Sequence, residues 1–187
     1  MSKRRAILAI AAVILLADNA SATEWRIDPA QSHLTFVGTQ AGRPFEGSFG
    51  RFAATVRFDE SDLAASRAVV VIDMASARTG NAQGDDAVRG QDWFAVAMYP
   101  QARFETKSFR HLDGNRYEAD GVLTIRDAVK PVVLPFTLEK AQSATRARGE
   151  LVIDRTDFGV GQGQWASPQL VAHEVTIRFD LLAAPLP

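Results

Sequence analysis

The stretch VAHEVTIRFDL, residues 171–181, decides the fold because apolar and polar residues alternate along it. One face carries Val171, His173, Val175, Ile177, Phe179 and Leu181. The other face carries Glu174, Thr176, Arg178 and Asp180. A period of two is that of a β-strand, in which successive side chains point to opposite faces of the sheet. The stretch therefore predicts a strand with one face packed on a core.

The same alternation recurs along the chain and predicts further strands near residues 25–38, 51–58, 67–75, 102–107, 117–125, 132–138 and 146–153. Longer breaks are predicted at 39–48, 76–100 and 155–169. One short helix is expected over residues 85–94, with Asp85 as its N-cap. The pattern indicates an all-β antiparallel domain of about eight strands, and it is compatible with either a closed barrel or a two-sheet sandwich.

The composition is that of one ordinary globular domain, with 187 residues, 47% of them hydrophobic and 23% charged. Cysteine is absent, which excludes disulfides, thiolate metal sites and a cysteine nucleophile. The formal net charge is -1 and the basic residues are scattered, whereas nucleic-acid binding needs a clustered positive surface. We therefore expect no nucleic-acid partner.

The N-terminus has the three parts of a secretory signal peptide. Basic residues at 3–5 precede a short apolar run, Ala6 to Ala17, and a small-x-small exit follows at residues 20–22. The run is shorter than the roughly 20 apolar residues that span a bilayer. We expect residues 1–22 to be cleaved and residues 23–187 to be exported by the general secretory path. Arg4-Arg5 leaves the twin-arginine route open.

The inward-facing positions combine large aromatic residues with small ones such as Gly121 and Gly149. Small residues on neighbouring strands leave volume that either a ligand or large residues from facing strands must fill, and both alternatives are open. In the long break, Trp93, Phe94 and Met98 are expected to form a lid over the barrel mouth.

Catalytic signatures are weak. The segment Gly159-Val160-Gly161-Gln162-Gly163 precedes a strand rather than a helix, so it lacks the helix N-terminus that binds phosphate. We interpret it as a loop beside the barrel mouth, with Trp165 able to cover an opening. No G-x-S-x-G and no pair of histidines at helical spacing is present. We therefore predict no catalysis, no metal and no cofactor, and keep a small-molecule enzyme that uses His173 or His33 as an alternative.

Six short motifs in order resemble those of the YceI-like family. They are Trp25-x-Ile27-Asp28-Pro29-x-x-Ser32-x-x-x-Phe36, Gly47-x-Phe49 with Val56-x-Phe58-Asp59, Thr79 with Asp92-Trp93-Phe94, Tyr99-Pro100-x-x-x-Phe104, Gly121-x-Leu123-Thr124-Ile125 with Lys130-Pro131-Val132, and Arg155-x-Asp157-Phe158-Gly159-Val160. The resemblance covers nearly the whole of residues 23–187. It implies an eight-stranded lipocalin-like barrel in the periplasm, with a long apolar pocket for a polyisoprenoid lipid.

The chain departs from the family at the positions of its usual head-group histidines. Many members carry histidine near residues 39–41 and 87–88, where this chain has Thr39-Gln40-Ala41 and Ala87-Val88, and Gln31 stands at another such position. The loop from Gly159 to Trp165 resembles that of a subgroup, some of whose members are joined to, or neighbour, a cytochrome b561 membrane protein. This implies an isoprenoid quinone as ligand or a redox partner in the membrane.

We therefore predict a periplasmic barrel that binds a polyisoprenoid or isoprenoid-quinone lipid without catalysis. The predicted cavity wall is Phe36, Phe52, Val56, Phe104, Tyr117, Leu123, Leu134, Phe136, Leu151, Val175 and Ile177. Phe94, Met98 and Phe158 are predicted nearer the mouth, and His173 is predicted to hydrogen-bond a polar head. The alternative is a module with a filled core that docks on a cytochrome b561-type protein. A homodimer is an open hypothesis.

Overall fold

The protein is described by a computed structural model over residues 22–141 and 143–186. The predicted signal peptide, residues 1–22, lies outside the described residues except for Ala22, so its cleavage stays a prediction. Among the helices that the structure describes, none is long and apolar enough to cross a membrane.

Strands dominate the described residues. They are β1 (Glu24–Ile27), β2 (His33–Gln40), β3 (Arg43–Phe49), β4 (Phe52–Arg57), β5 (Arg67–Asp73), β6 (Ala77–Arg78), β7 (Gln101–His111), β8 (Arg116–Ile125), β9 (Ala128–Ala141), β10 (Ala144–Asp154) and β11 (Glu174–Pro185). The α-helix α1 spans Ala82–Arg89, and three short 3-10 helices span Met74–Ser76, Arg155–Phe158 and Gly163–Ala166.

Eight strands close into an antiparallel barrel in the order β1–β4–β5–β7–β8–β9–β10–β11, with β11 pairing back to β1. Strands β2, β3 and β6 continue the wall at one end, where β2 pairs with the same edge of β11 that β1 occupies further along. Three strands of the wall are thus each divided into two segments, and these pairs of segments are β1 and β2, β3 and β4, and β5 and β6. The predicted eight-stranded antiparallel barrel with one short helix is confirmed, and closure of the ring excludes the sandwich.

The interruptions have local causes. Pro29 lacks an N–H and cannot donate to a ladder between β1 and β2. Beside it, the Ser32 hydroxyl accepts a hydrogen bond of 3.0 Å from the amide of Leu182, which fills the gap in the pairing. Between β5 and β6, the Asp73 carboxylate accepts from the amide of Ala75 at 2.9 Å and starts a 3-10 turn.

The predicted break at 39–48 was wrong, because β3 lies there. The chain turns at Ala41 and Gly42, both with positive φ, and Phe45 and Phe49 then face inward. The position between them is Gly47, where an added Cβ would lie 2.2 Å from the ring of Phe36. The period of two is present in β3. It is hard to recognise in the sequence, because Gly47 stands at an inward position and leaves room for the ring of Phe36 on the neighbouring strand.

The helix is also shifted from its predicted place. Asn81, not Asp85, is its N-cap, because the Asn81 side chain accepts from the amide of Gly84 at 2.8 Å. Asp85 instead accepts from the amide and hydroxyl of Thr79, at 2.6 and 3.0 Å, and so fixes the loop ahead of the helix. The helix ends before Gly90 and not at residue 94.

The last strand begins later than predicted, at Glu174. Val171 forms an isolated bridge to Gln40, and His173 lies in the loop between this bridge and the strand. The remaining inward face agrees with the predicted alternation. The barrel core contains Leu34, Phe36, Phe49, Ile72, Met74, Phe104, Leu123, Ile125, Phe158 and Val160, all buried.

Candidate functional site

The barrel interior contains two adjoining cavities. The upper cavity, about 200 Å³, lies at the end formed by β2, β3 and α1, and the lower cavity, about 190 Å³, lies at the end formed by β1 and β4. Ile72, Leu123 and Ile177 line both cavities and form a waist between them. The interior is therefore an elongated apolar space divided at mid-height.

Polar groups are concentrated in the upper cavity. Its lining includes the side chains of Gln40, Thr79, Asn81 and Arg155 among aromatic and aliphatic residues. These groups come from the end of β2, the turn before α1 and the segment after β10. The upper cavity can thus accommodate an oxygen-bearing group as well as an apolar chain.

Arg155 organises the loop that closes the upper end, and its residue is only 2% exposed. Its guanidinium donates five hydrogen bonds to backbone carbonyls, and these are Ala172 at 2.9 Å, Val160 at 2.7 Å, Gly161 at 3.0 Å, Trp165 at 2.6 Å and Val171 at 2.7 Å. An added Cβ on Gly161, whose φ is +79°, would lie 2.1 Å from this guanidinium. The glycine-rich segment is therefore a loop wrapped around an arginine.

The charge of Arg155 is balanced mainly by carbonyl dipoles. Burial lowers the pKa of the guanidinium, and the attraction of Asp154 partly offsets this effect. Its carbon Cζ also lies 5.5 Å from the ring centroid of Trp93, which is cation–π distance. The positive charge is thus fixed at the edge of the upper cavity.

Two tryptophans cover the same end. Trp93 and Trp165 line the upper cavity, and their ring centroids are 5.8 Å apart. The expectation that Trp165 covers an opening agrees with this position. The indole Nε1 of Trp93 is buried and has no hydrogen-bond partner among the described residues.

The lower cavity is lined almost entirely by apolar side chains. Trp25, Phe52, Phe58, Phe104, Phe136 and Phe179 are among its lining residues. Glu60 is the charged group of this lining; its carboxylate accepts from the Tyr117 hydroxyl at 3.2 Å and pairs with Lys140 at 2.9 Å. Burial and the neighbouring charge of Glu60 raise the pKa of Tyr117, so its hydroxyl stays protonated and donates.

Most of the residues predicted for the site line these cavities. Phe36, Phe94, Phe158 and Val175 line the upper cavity, and Phe52, Val56, Phe104, Leu134, Phe136 and Leu151 line the lower one. Leu123 and Ile177 belong to the waist. Their roles in binding a ligand stay predictions.

Three predicted residues lie elsewhere. Tyr117 is buried in a cluster with Phe58 and Phe136, behind the lining. Met98 is 68% exposed and does not line the space beneath the predicted lid. His173 is half-buried outside both cavities, where its Nε2 lies 2.9 Å from the carbonyl of Ala166.

The glycines of the inner face do not create free volume. An added Cβ on Gly121 would lie 2.8 Å from the ring of Phe104, and one on Gly149 would lie 2.6 Å from the ring of Phe179. Aromatic rings from neighbouring strands therefore occupy the space above these glycines. The cavities lie further along the barrel axis, beyond these rings.

The histidines are dispersed over the molecule. His33 is exposed on β2, and His111 stacks on Tyr117 with ring centroids 4.8 Å apart. His173 lies 3.8 Å from the carboxylate of Asp154. In the described part of the chain, no group of three or more histidine or acidic side chains is arranged to hold a metal ion.

Sequence reasoning missed Arg155, Gln40 and Asn81 as residues of the upper cavity. Arg155 occurs within a motif that the sequence shares with its family, but its contacts are with carbonyls distributed over residues 160–172. Backbone acceptors carry no signal in a sequence. Asn81 stands directly before the helix, and helix-capping preferences could have identified its position.

The model of the YceI-like domain family matches residues 25–183. Among curated proteins, a UPF0312 protein of Yersinia pestis (strain Pestoides F) is 33% identical over 134 residues, covering 70% of this chain and 69% of that protein. A UPF0312 protein of Photorhabdus laumondii is 31% identical over 131 residues, covering 68% and 67% respectively.

Solved structures of similar shape agree with this match. The crystal structure of Burkholderia cenocepacia BcnA superposes with a TM-score of 0.83 and 37% identity, covering 85% of this chain and all 100% of that one. A polyisoprenoid binding domain from Saccharophagus degradans, implicated in plant cell wall breakdown, gives a TM-score of 0.71 at 15% identity, with 87% and 98% coverage. The family match over the barrel, together with relatives above 30% identity, shows that this chain belongs to the YceI-like family.

Proposed function

We propose that the protein binds one long prenyl lipid, including the prenyl chain of an isoprenoid quinone, along the axis of the barrel. The observation that carries the proposal is the elongated apolar interior, two cavities of about 200 and 190 Å³ that share the residues of the waist. A buried methylene is worth about 0.8 kcal/mol, so a long chain gains affinity without catalytic groups.

The oxygen-bearing end of the lipid lies in the upper cavity. Gln40 and Asn81 offer side-chain amide groups there, whereas the Thr79 hydroxyl already donates to Asp85. The fixed charge of Arg155 further favours an electronegative oxygen. Since the family's histidines are absent, a neutral head such as a quinone carbonyl or an alcohol fits this set of donors. The tail occupies the nearly apolar lower cavity.

The comparisons add support of a different kind. The Saccharophagus degradans protein is described as a polyisoprenoid binding domain, and this chain has its fold. We propose that this chain binds the same class of lipid and that it does so as a carrier in the periplasm, without catalysis. A cytochrome b561-type membrane protein would then deliver or receive a quinone, and a homodimer is a further proposal.

Native mass spectrometry of the protein purified from its own periplasm tests the proposal. We expect a stoichiometric adduct whose solvent extract contains a prenyl lipid, and the extract would also identify the head. A clean apoprotein mass, with no uptake of added prenyl alcohols or quinones, would contradict lipid binding. That result would favour the alternative of a module that docks on a membrane redox protein.

A further inference from the structure

The barrel wall is incomplete between β9 and β10. Strand β9 pairs with β8 over residues 128–137, and β10 pairs with β11 over residues 145–154. Between β9 and β10, however, pairing runs only from Ala141 with Ala144 to Phe136 with Gly149. In the described structure no rung joins residues 128–135 to residues 150–154. We call this unpaired part of the wall the β9–β10 window.

Two prolines remove donors from the edge of β9 that faces the window. Pro131 and Pro135 lie on β9, and the β8–β9 register continues past both of them. Alternate residues of an antiparallel strand direct their N–H and C=O groups to opposite neighbours. Because the β8 ladder is intact, the donors that these prolines lack are those that would face β10. The sequence therefore removes two of the donors that pairing with β10 needs, whereas Val133, which lies between them in the same orientation, keeps its N–H.

The window opens at the height of the waist. Its lower limit is the Phe136–Gly149 rung, and its upper limit is an ion pair of 3.7 Å between Lys130 and Asp157. Leu151, beside the window, lines the lower cavity and pairs with the waist residue Ile177.

The outer rim of the window is apolar along β9, whereas on β10 the exposed Val152 lies between the exposed acidic residues Glu150 and Asp154. Val129, Val133 and Val152 are 60%, 45% and 56% exposed, and Pro131 and Pro135 are exposed beside them. Further down the same two strands, the outward positions carry charged side chains such as Arg148 and Glu139, which pair with each other. The apolar side chains of β9, together with Val152, thus lead from solvent, across unpaired backbone, to the cavity lining.

We propose that the β9–β10 window is the lateral route by which the prenyl chain enters and leaves the barrel. This inference rests on the proposed function. A chain that entered from one end would have to pass its full length through one cavity and then the waist. A chain that enters at the waist reaches both cavities and keeps apolar contact throughout.

The test is to close the window with a cross-link. Val133 and Val152 each lie three residues beyond the last rung, so a continued ladder would place them opposite each other. Because the chain has no cysteine, Val133→Cys with Val152→Cys supplies two unique thiols for dibromobimane, which becomes fluorescent only when both have reacted. The matched control is Val69→Cys with Glu105→Cys, across the paired β5–β7 seam and away from the window.

The readout is the rate of transfer of a dansyl-labelled prenyl alcohol from phosphatidylcholine vesicles. Energy transfer from tryptophan to the dansyl group reports the arrival of the labelled lipid, because the cavities are lined by Trp25, Trp93 and Trp165. We expect the cross-link to slow uptake and release at least about tenfold while the amount bound at equilibrium is unchanged. The control cross-link should leave both rates unchanged.

A second variant does not depend on cross-linking. Asp157→Asn removes the ion pair at the upper limit, and exposed pairs are worth about 0.2–1 kcal/mol, so transfer should accelerate by up to about fivefold. Equal rates with the window cross-linked and free, or slower transfer in Asp157→Asn, would overturn the lateral route. Absence of probe binding by the unmodified protein would instead refute the proposed function.

Discussion

Replacing Arg155 with methionine should destabilise the protein far more than removing the charge of an arginine on the outer face of the barrel. The five carbonyls that receive hydrogen bonds from the guanidinium belong to one loop, and methionine offers them no donor. Each buried carbonyl left without a donor costs about 1–3 kcal/mol. If all five stayed buried, the sum would rival the whole stability of a typical domain, which is about 5–15 kcal/mol.

The loop from residue 159 to 171 will therefore open and hydrate its carbonyls instead of holding the native position. We expect a loss of about 3–5 kcal/mol in the free energy of unfolding, which is typical when one partner of a buried charged network is removed. Amide exchange should become fast throughout this loop while β8 and β9 stay protected. The upper cavity should lose its cover of Trp165 as well.

Urea unfolding followed by tryptophan fluorescence measures the stability change, and hydrogen exchange measures the local opening. Arg178→Met is the matched control, since Arg178 is partly exposed and pairs with Glu150 at 2.8 Å on the outer face. It should cost at most about 1 kcal/mol. A loss below about 1 kcal/mol for Arg155→Met, with an unchanged exchange pattern, would refute the argument that Arg155 holds the loop.

Three further changes test other parts of the interior. Ile177→Trp should fill the waist and reduce the prenyl chain length retained in native mass spectrometry, whereas an unchanged adduct would mean that the waist is not occupied. Gly149→Ala should lower stability by about 1–3 kcal/mol in urea unfolding, since its Cβ would lie 2.4 Å from the backbone oxygen of Pro135 and 2.6 Å from the ring of Phe179. A neutral result would mean that both the backbone and the ring shift without cost. The Thr156 hydroxyl, by hydrogen bonding, lowers the pKa of Asp154. This carboxylate therefore stabilises the fold above the unfolded pKa of about 3.9, and the stabilisation is lost as the pH falls through the lower folded pKa. Asp154→Asn should reduce the loss of stability measured between neutral and acid pH, and an unchanged pH dependence would contradict this role.

The strands were predictable where one face of the wall is apolar and the other polar. In β8, residues 116–125, buried and half-buried positions alternate without a fault, and the sequence shows the same alternation. In β3 the alternation is hidden, since Gly47 replaces a large inward residue and leaves room for Phe36. The residue pattern of one strand carries no information about a side chain of the neighbouring strand, such as Phe36, that fills its inner face.

The apolar lining of the site was predictable for the same reason, but its polar groups were not. Phe104 and Leu134 line the interior because of their strand positions, whereas Arg155 and Asn81 line it because loops fold back over the barrel end. His173 was placed on the inner face by extending the strand pattern beyond its true start. The extension failed because the Arg155 side chain draws the carbonyls of residues 171 and 172 toward itself.

Closure of the barrel and access to its interior make opposite demands on the wall. A closed ring removes unpaired strand edges, which otherwise invite pairing with other chains. A chain-shaped ligand in a barrel with a covered upper end nevertheless needs an opening, and any unpaired segment exposes an edge. Pro131 and Pro135 lessen this conflict, because neither of them can donate a hydrogen bond to a foreign strand. The same two substitutions that would complete the ladder, proline to valine, should therefore slow lipid transfer and raise stability together.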